Sequence, residues 1–218
     1  MKDQTRPKRG QQKVKEAMGL NFDPVKISNA YDDWAGSYDE DCSEICYEAP
    51  SIMVDLFLQV VERPPLQEES LKILDVGCGT GFVGNILAER GFTTVDGCDL
   101  SEPMVEEARR KQAYRELFGG VNILHNNTWP PSKYDAVLCS GLFTHGHLKP
   151  SALGDLVQMA KQGGLVVISA RACYYEQQNL EDEIQRLVNY GKVARVHRWM
   201  NRPYFTNQYG HYFALQIT

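Results

Sequence analysis

With 218 residues and 43% hydrophobic side chains, the chain has the material for one sizeable α/β domain and is short for two. A formal charge of −5 and a pI near 5.6 argue against the basic face that DNA or an anionic membrane would need. No run of 18 apolar residues exists to cross a bilayer. Six cysteines without C-x-x-C spacing point to reduced thiols in a cytoplasmic setting, with no metal bound.

Residues 1–20 read as a flexible basic tail: they are charged, nearly free of aromatics, and lack the apolar core of a secretory signal. Residues 21–218 are expected to form a single domain. It opens with a helical lid at 27–61, made of helices over 27–37 and 42–61. The second helix places Ile45, Ile52, Met53, Leu56 and Val60 at helical intervals. ERPPLQEES (62–70) is a Pro-rich linker that delivers the chain into a sheet. Strands are predicted near 71–76, 93–98, 121–125, 134–140, 163–169, 193–199 and 211–217, and helices near 81–90, 102–115, 151–161 and 177–189. Strand–helix alternation means a parallel sheet with right-handed crossovers and helices on both faces. No helix separates the last two strands, which RPYFTNQYG joins, so the final hairpin is expected to be antiparallel.

LKILDVGCGTG (71–81) carries the chemistry. An apolar strand ends at Asp75, and Gly77, Gly79 and Gly81 follow at alternate positions. Glycines there let the backbone turn sharply and approach a ligand at the start of the next helix. A dinucleotide pattern, G-x-G-x-x-G, also fits at Gly79, Gly81 and Gly84, but two residues late relative to the strand end. A carboxylate at the strand tip would repel a pyrophosphate and attract an ammonium group. S-adenosylmethionine (SAM) is a ligand of the second kind. TTVDGCD (93–99) reads as a second strand ending at Asp99, placed to accept from both ribose hydroxyls, with Leu100 beside it. Asp96, earlier in that strand, is expected to face solvent. Ser101 then caps a helix that has Pro103 in its first turn. Met104 either lies against the adenine or packs in the core.

Beyond this loop, CDLSEPMVEEAR, YDAVLCSGLF and KQGGLVVISAR resemble the corresponding segments of class I SAM-dependent methyltransferases. YDDWAGSYD (31–39) resembles a segment of the methyltransferase-like group named for the Williams–Beuren syndrome chromosome region. The resemblance spans roughly residues 27–217. It implies a Rossmann-like, seven-stranded, mostly parallel sheet whose last strand is antiparallel. It also implies SAM as cofactor, S-adenosylhomocysteine (SAH) as product, and a methyl acceptor that is first of all a small molecule. Tyr31, Trp34 and Tyr38 fall at i, i+3 and i+7, a spacing that suits either a buried stripe or an aromatic wall for a sulfonium cation. By the resemblance Tyr38 approaches the methionine moiety, with Tyr31 and Trp34 nearby. Relatives carry an acidic residue for the adenine amino group where this chain has Asn126, Asn127 and Thr128, while Trp129 either covers the adenine or packs the loop. Cys139, Ser140 and Gly141 would pass beneath the methionine moiety.

His145 and His147, in GLFTHGHLKP, are the candidate general bases; H-x-H also has the look of a metal pair but lacks a third ligand. Arg171, Tyr174, Tyr175, Trp199, Tyr204 and Phe205 either line an acceptor pocket or pack. Three other readings stay open beside a monomeric small-molecule methyltransferase: a protein or RNA acceptor, a SAM-binding regulator without catalysis, and an NAD-linked oxidoreductase. For the last no Tyr-x-x-x-Lys set is found.

Overall fold

Two short apolar segments, β1 (Ile73–Val76) and β2 (Val95–Cys98), are buried at every position, as parallel strands covered on both faces must be. They lie within a computed structural model that describes residues 8–61, 71–124 and 130–218. With β3 (Glu116–Phe118), β4 (Tyr134–Phe143), β5 (Ala160–Arg171), β6 (Val193–Phe205) and β7 (Gln208–Ile217) they form one seven-stranded sheet. Its order is β3-β2-β1-β4-β5-β7-β6, with β7 antiparallel to both of its neighbours. This is the expected Rossmann-like sheet. The chain runs from β1 outward to β2 and β3, then crosses back to β4. That reversal opens a crevice at the carboxyl ends of β1 and β4.

Side-chain alternation along the strands separates two apolar layers. Leu74, Val76, Val137, Val166 and Ile168 face α7 (Ala152–Met159), α8 (Ala172–Gln178) and α9 (Leu180–Asn189). Ile73, Ala136, Leu138 and Val167 face α4 (Ala49–Val60) and α5 (Phe82–Glu89). The lid comprises α1 (Arg9–Met18), α2 (Pro24–Trp34), a 3-10 turn (Ala35–Ser37) and α3 (Tyr38–Glu44).

The structure departs from the sequence reading in six places. The expected tail holds helix α1, because Ala17 is buried against Trp34 and Met104, and Arg9 reaches Asp41 at 2.5 Å. The single helix expected over 42–61 is two, interrupted where Cys46 takes a positive φ of 51° and Pro50 opens α4. The helix expected over 177–189 is likewise split, by Asn179 at φ 54°. The helix after β2, α6 (Glu102–Arg110), stops short of residue 115, and Gln112 at φ 57° turns the chain inward. β3 therefore forms at Glu116–Phe118, ahead of the expected 121–125, and Val121, Ile123 and Leu124 line the crevice. Finally, Asp96 is fully buried. It pairs with Arg115 and accepts from the Tyr134 hydroxyl at 3.0 Å.

The Asp96 cluster lies away from the crevice and anchors β3 and β4 to β2. Asp96→Ala removes the buried carboxylate that the Tyr134 hydroxyl and the partly exposed Arg115 both meet, so it should cost about 2–4 kcal/mol of stability. Urea denaturation checks this, and a loss under 1 kcal/mol would contradict the cluster's role.

Candidate active site

The glycine loop leaves β1 with Gly77, Gly79 and Gly81 all at positive φ. At Gly77 a side chain would collide with Leu142 at 2.5 Å. Gly79 differs: open space faces the position of its missing Cβ, and the residue lines the cavity. Asp99 holds this loop in place, accepting from the Gly79 N–H at 2.8 Å and the Ser101 N–H at 2.9 Å. Burial pushes the Asp99 carboxyl above the ordinary range, and the backbone N–H bonds from Ser101, Gly79 and Leu100 act against that rise.

Above the loop lies a cavity with about 880 Å³ of empty space, including solvent at its mouth. Gly77, Gly79, Asp99 and Leu100 form its floor on the β1–β2 side, and Ser140, Gly141 and Leu142 line the β4 side. Val121, Ile123 and Leu124 make an apolar wall, and Tyr31, Tyr38 and Tyr47 contribute aromatic faces from the N-terminal helices. Asn126, Asn127, Thr128 and Trp129 lie outside the described residues.

The lid is fastened to this floor by its own acidic residues. Asp32 accepts from the Ser101 hydroxyl at 2.6 Å. Asp39 accepts from Thr80 of the glycine loop and from Lys111, both at 2.5 Å. Asp41, buried, accepts from Arg9, from Trp34 Nε1 at 2.8 Å and from Ser37. The rings of Tyr31, Trp34 and Tyr38 gather with centroids 4.8–6.1 Å apart. Tyr31 and Tyr38 face the cavity, whereas Trp34 turns toward Asp41 and a second cavity.

Asp75 does not reach the cavity wall. It is fully buried, accepts from the Tyr114 hydroxyl at 2.7 Å, and leaves Oδ1 without a hydrogen-bond partner. Burial drives its carboxyl up to about 7, against the opposing bond from Tyr114. Gly81 packs on Tyr114 and Ala108, Met104 joins Trp34 and Ala17, and Cys139 lies in the sheet core. The sequence reading puts Asp75, Gly81 and Cys139 at the cofactor and leaves Met104 there or in the core; in the structure none of the four lines the cavity, and Met104 takes the core place.

The two histidines part company. His145 turns outward to Gln177 at 2.9 Å. His147 is buried, with Nδ1 3.0 Å from the His145 carbonyl and Nε2 2.7 Å from the Tyr31 hydroxyl. A carbonyl only accepts, so Nδ1 carries the proton and the Tyr31 hydroxyl donates to Nε2. Burial lowers the imidazole to about 4, which keeps it neutral at pH 7. His147, Tyr31, Tyr38, Tyr47 and Gly141 also line the second cavity, which has about 460 Å³ of empty space and whose far side includes Arg171, Tyr204 and Phe205. Of the other acceptor-pocket candidates, Tyr174 donates to the Leu148 carbonyl, Tyr175 packs on His211 and Phe213, and Trp199 stacks on His197. Sequence reasoning missed Phe22, Pro24, Ile27 and Tyr47, which come from turns and helix ends with no periodic signal, and it read 121–124 as part of a strand rather than as cavity wall.

Residues 73–164 match a family model described as a methyltransferase domain. Human methyltransferase-like protein 27 is 35% identical over 159 residues, covering 73% of this chain and 63% of that protein. The ubiquinone biosynthesis O-methyltransferase of Leptothrix cholodnii is 30% identical over 122 residues, 52% of this chain and 50% of that one. The chain thus spans about half to two thirds of the length of these curated relatives. Magnesium protoporphyrin IX methyltransferase from Synechocystis PCC 6803, solved with bound SAM, shares the fold at a TM-score of 0.55. It is 21% identical, over 96% of this chain and 92% of that one. The matched domain, residues 73–164, is of the class I SAM-dependent methyltransferase kind, a family that uses SAM and yields SAH. Among the described residues no helix is long and apolar enough to cross a membrane, and no group of three or more potential metal ligands occurs.

Two predictions follow from this geometry. Asp99→Ala should weaken SAM binding by about 1–3 kcal/mol, the scale of a lost hydrogen bond to a charged group; unchanged affinity in calorimetry would remove Asp99 from the site. The second concerns pH. A bound cation favours ionised Asp75, so SAM affinity should rise with pH up to about 7, where the free carboxyl titrates, and level off above. Binding at pH 6 should then release protons, visible as calorimetric heats that change with buffer ionisation enthalpy. Asp75→Asn, which keeps an acceptor for Tyr114, should abolish most of that release.

Proposed function

We propose that this chain transfers a methyl group from SAM to a small-molecule acceptor held between the lid and the sheet edge. The observation that carries this reading is the meeting of two cavities at Tyr31 and His147. The first has what the cofactor requires: a carboxylate at the β2 tip, open space over Gly79, aromatic faces for a cation, and the unpartnered Oδ1 of Asp75 behind the floor. The second is walled by residues of the lid, of β4 and the loop after it, and of β5 and β6, which suits a small acceptor better than a polymer.

Gly77, Gly79, Asp99 and Leu100 hold the adenosyl part, and Tyr31 and Tyr38 cover the sulfonium end. When bound, SAM supplies a methyl group on a sulfonium, and the new bond to the acceptor forms as the carbon–sulfur bond breaks. The chain's own work is alignment and exclusion of water. Tyr31 donates to His147, so its oxygen is free to accept a proton from an acceptor hydroxyl or amine and pass its own to Nε2. His147 ends as the imidazolium, still bonded through Nδ1 to the His145 carbonyl. A SAM-binding regulator would need the first cavity only; the second is what favours catalysis.

Parallel calorimetry with SAM, SAH and NAD tests the cofactor half: the two sulfur ligands should bind and NAD should not. Transfer of a labelled methyl group from SAM into a metabolite extract tests the other half. His147→Gln should lower that transfer about 100-fold, within the usual range for a proton acceptor, while leaving SAH affinity unchanged. At saturating SAM the wild-type rate should show no fall near pH 6.5 and decline only toward pH 5 and below, because His147 stays neutral down to about 4. An inflection at 6.5 would point to a different base.

A further inference from the structure

Three side chains that line the second cavity, Arg171, Thr144 and Tyr204, are each more than nine-tenths buried. Each also keeps a polar atom without a hydrogen-bond partner: Arg171 Nε, Thr144 Oγ1 and the Tyr204 hydroxyl. The hydroxyls of Tyr47 and Ser169 are neighbours of Tyr204 but close no hydrogen bond to it. Buried polar atoms are almost always satisfied, so three orphans on one cavity wall mark groups waiting for a ligand.

Arg171 sets the ligand's charge. Among the described residues no carboxylate pairs with it. Its Nη1 meets the Met18 thioether at 2.6 Å, its Nη2 meets Gln208 Oε1 at 3.2 Å, and the Phe205 ring centroid lies 5.0 Å from the guanidinium. A thioether is a weak acceptor, and neither it nor an amide neutralises a buried cation. The rest of the wall is apolar and aromatic, with Val14, Ile45 and Phe205, and supplies no second cation. One guanidinium with apolar walls matches one carboxylate on an apolar body.

We infer that the acceptor is a small organic acid, its carboxylate bound by Arg171 with Thr144 and Tyr204, and its methyl-accepting group turned toward Tyr31 and His147. This rests on the methyltransferase reading above and adds the substrate class. It also has a consequence for the base. After burial, the nearby charge of Arg171 also holds the His147 imidazole low. A carboxylate that neutralises Arg171 removes that influence, so the correct acceptor makes His147 a better proton acceptor.

Benzoate and benzamide are minimal probes of the same shape that differ in charge. Titrated by ligand-observed NMR into the SAH complex, benzoate should bind at least tenfold more tightly than benzamide. Arg171→Gln should erase the preference, Arg171→Lys should keep part of it, and SAH affinity should change less than twofold in both. Equal binding of the two probes, or saturation by neither, overturns the inference. So does a tenfold loss of SAH affinity in Arg171→Gln, which would mean that Arg171 holds the cofactor's own carboxylate. If Arg171→Gln does not fold, the wild-type preference and its reduction in Arg171→Lys decide the matter. Failure of the wild type to bind SAH would instead sink the methyltransferase reading, which keeps the two failures apart.

Discussion

The Asp99 carboxylate is the constraint on which the site depends. It sits where β2 ends, accepts the Gly79 N–H of the β1 loop and the Ser101 N–H ahead of α6, and so fixes two loops from two strands relative to each other. Each loop needs the bond for its own reason. Gly79 is in a left-handed conformation with no side chain to pack, and Ser101 must stay put to cap α6 at Met104. A carboxylate has lone pairs to spare after such bonds, and Asp99 lines the cavity. On the proposed reading, the group that builds the floor also meets the ligand.

The lid repeats this economy. Asp32, Asp39 and Asp41 lie within ten residues, and each is tied to a different body: the cap of α6, the glycine loop with Lys111, and the Trp34–Arg9 cluster. The aromatic rings of the same segment make the cavity roof. Anything that shifts the glycine loop therefore acts on the lid through Thr80 and Asp39, and the roof answers to the floor. Isolated bonds of this kind contribute little when exposed, but several closing one short segment act together on its position.

The strand–loop grammar of this chain was legible because it is local. The run from Ile73 to Gly81 declares itself by composition, as do the Ser101 cap and the antiparallel β6–β7 hairpin. What could not be read depends on partners distant in sequence. Asp96 looks like an exposed strand residue until Arg115 and Tyr134 fold onto it. β3 forms at Glu116–Phe118 because it pairs with β2, although the apolar run at 121–124 carries the stronger strand pattern. α1 has few apolar residues and becomes a helix on Asp41 and Trp34 rather than by its own propensity. Asp75 lies inside β1, one residue before its end, and the Tyr114 hydroxyl, 39 positions away, claims its carboxylate. The cavity shared by Tyr31, His147 and Arg171 assembles side chains from α2, the loop after β4, and the end of β5, and no window of sequence contains it.

On the proposed reading, the electrostatics of the site run in one direction. Asp99 lines one end of the joined cavities, with Asp75 buried behind it, and Arg171 lines the other. A sulfonium is drawn to the acidic end and a carboxylate to the basic end, so the two reactants enter in opposite senses and meet in the middle. The groups at the meeting point, Tyr31, Tyr38 and His147, are all kept neutral by burial. Neutrality there is what the chemistry asks for. A charged base beside the sulfonium would either repel it or bind the ground state as tightly as the transition state, and only interactions that strengthen toward the transition state raise the rate. A neutral Tyr31–His147 pair takes up charge only as the acceptor gives up its proton, with the Arg171 cation already matched by the acceptor's own carboxylate.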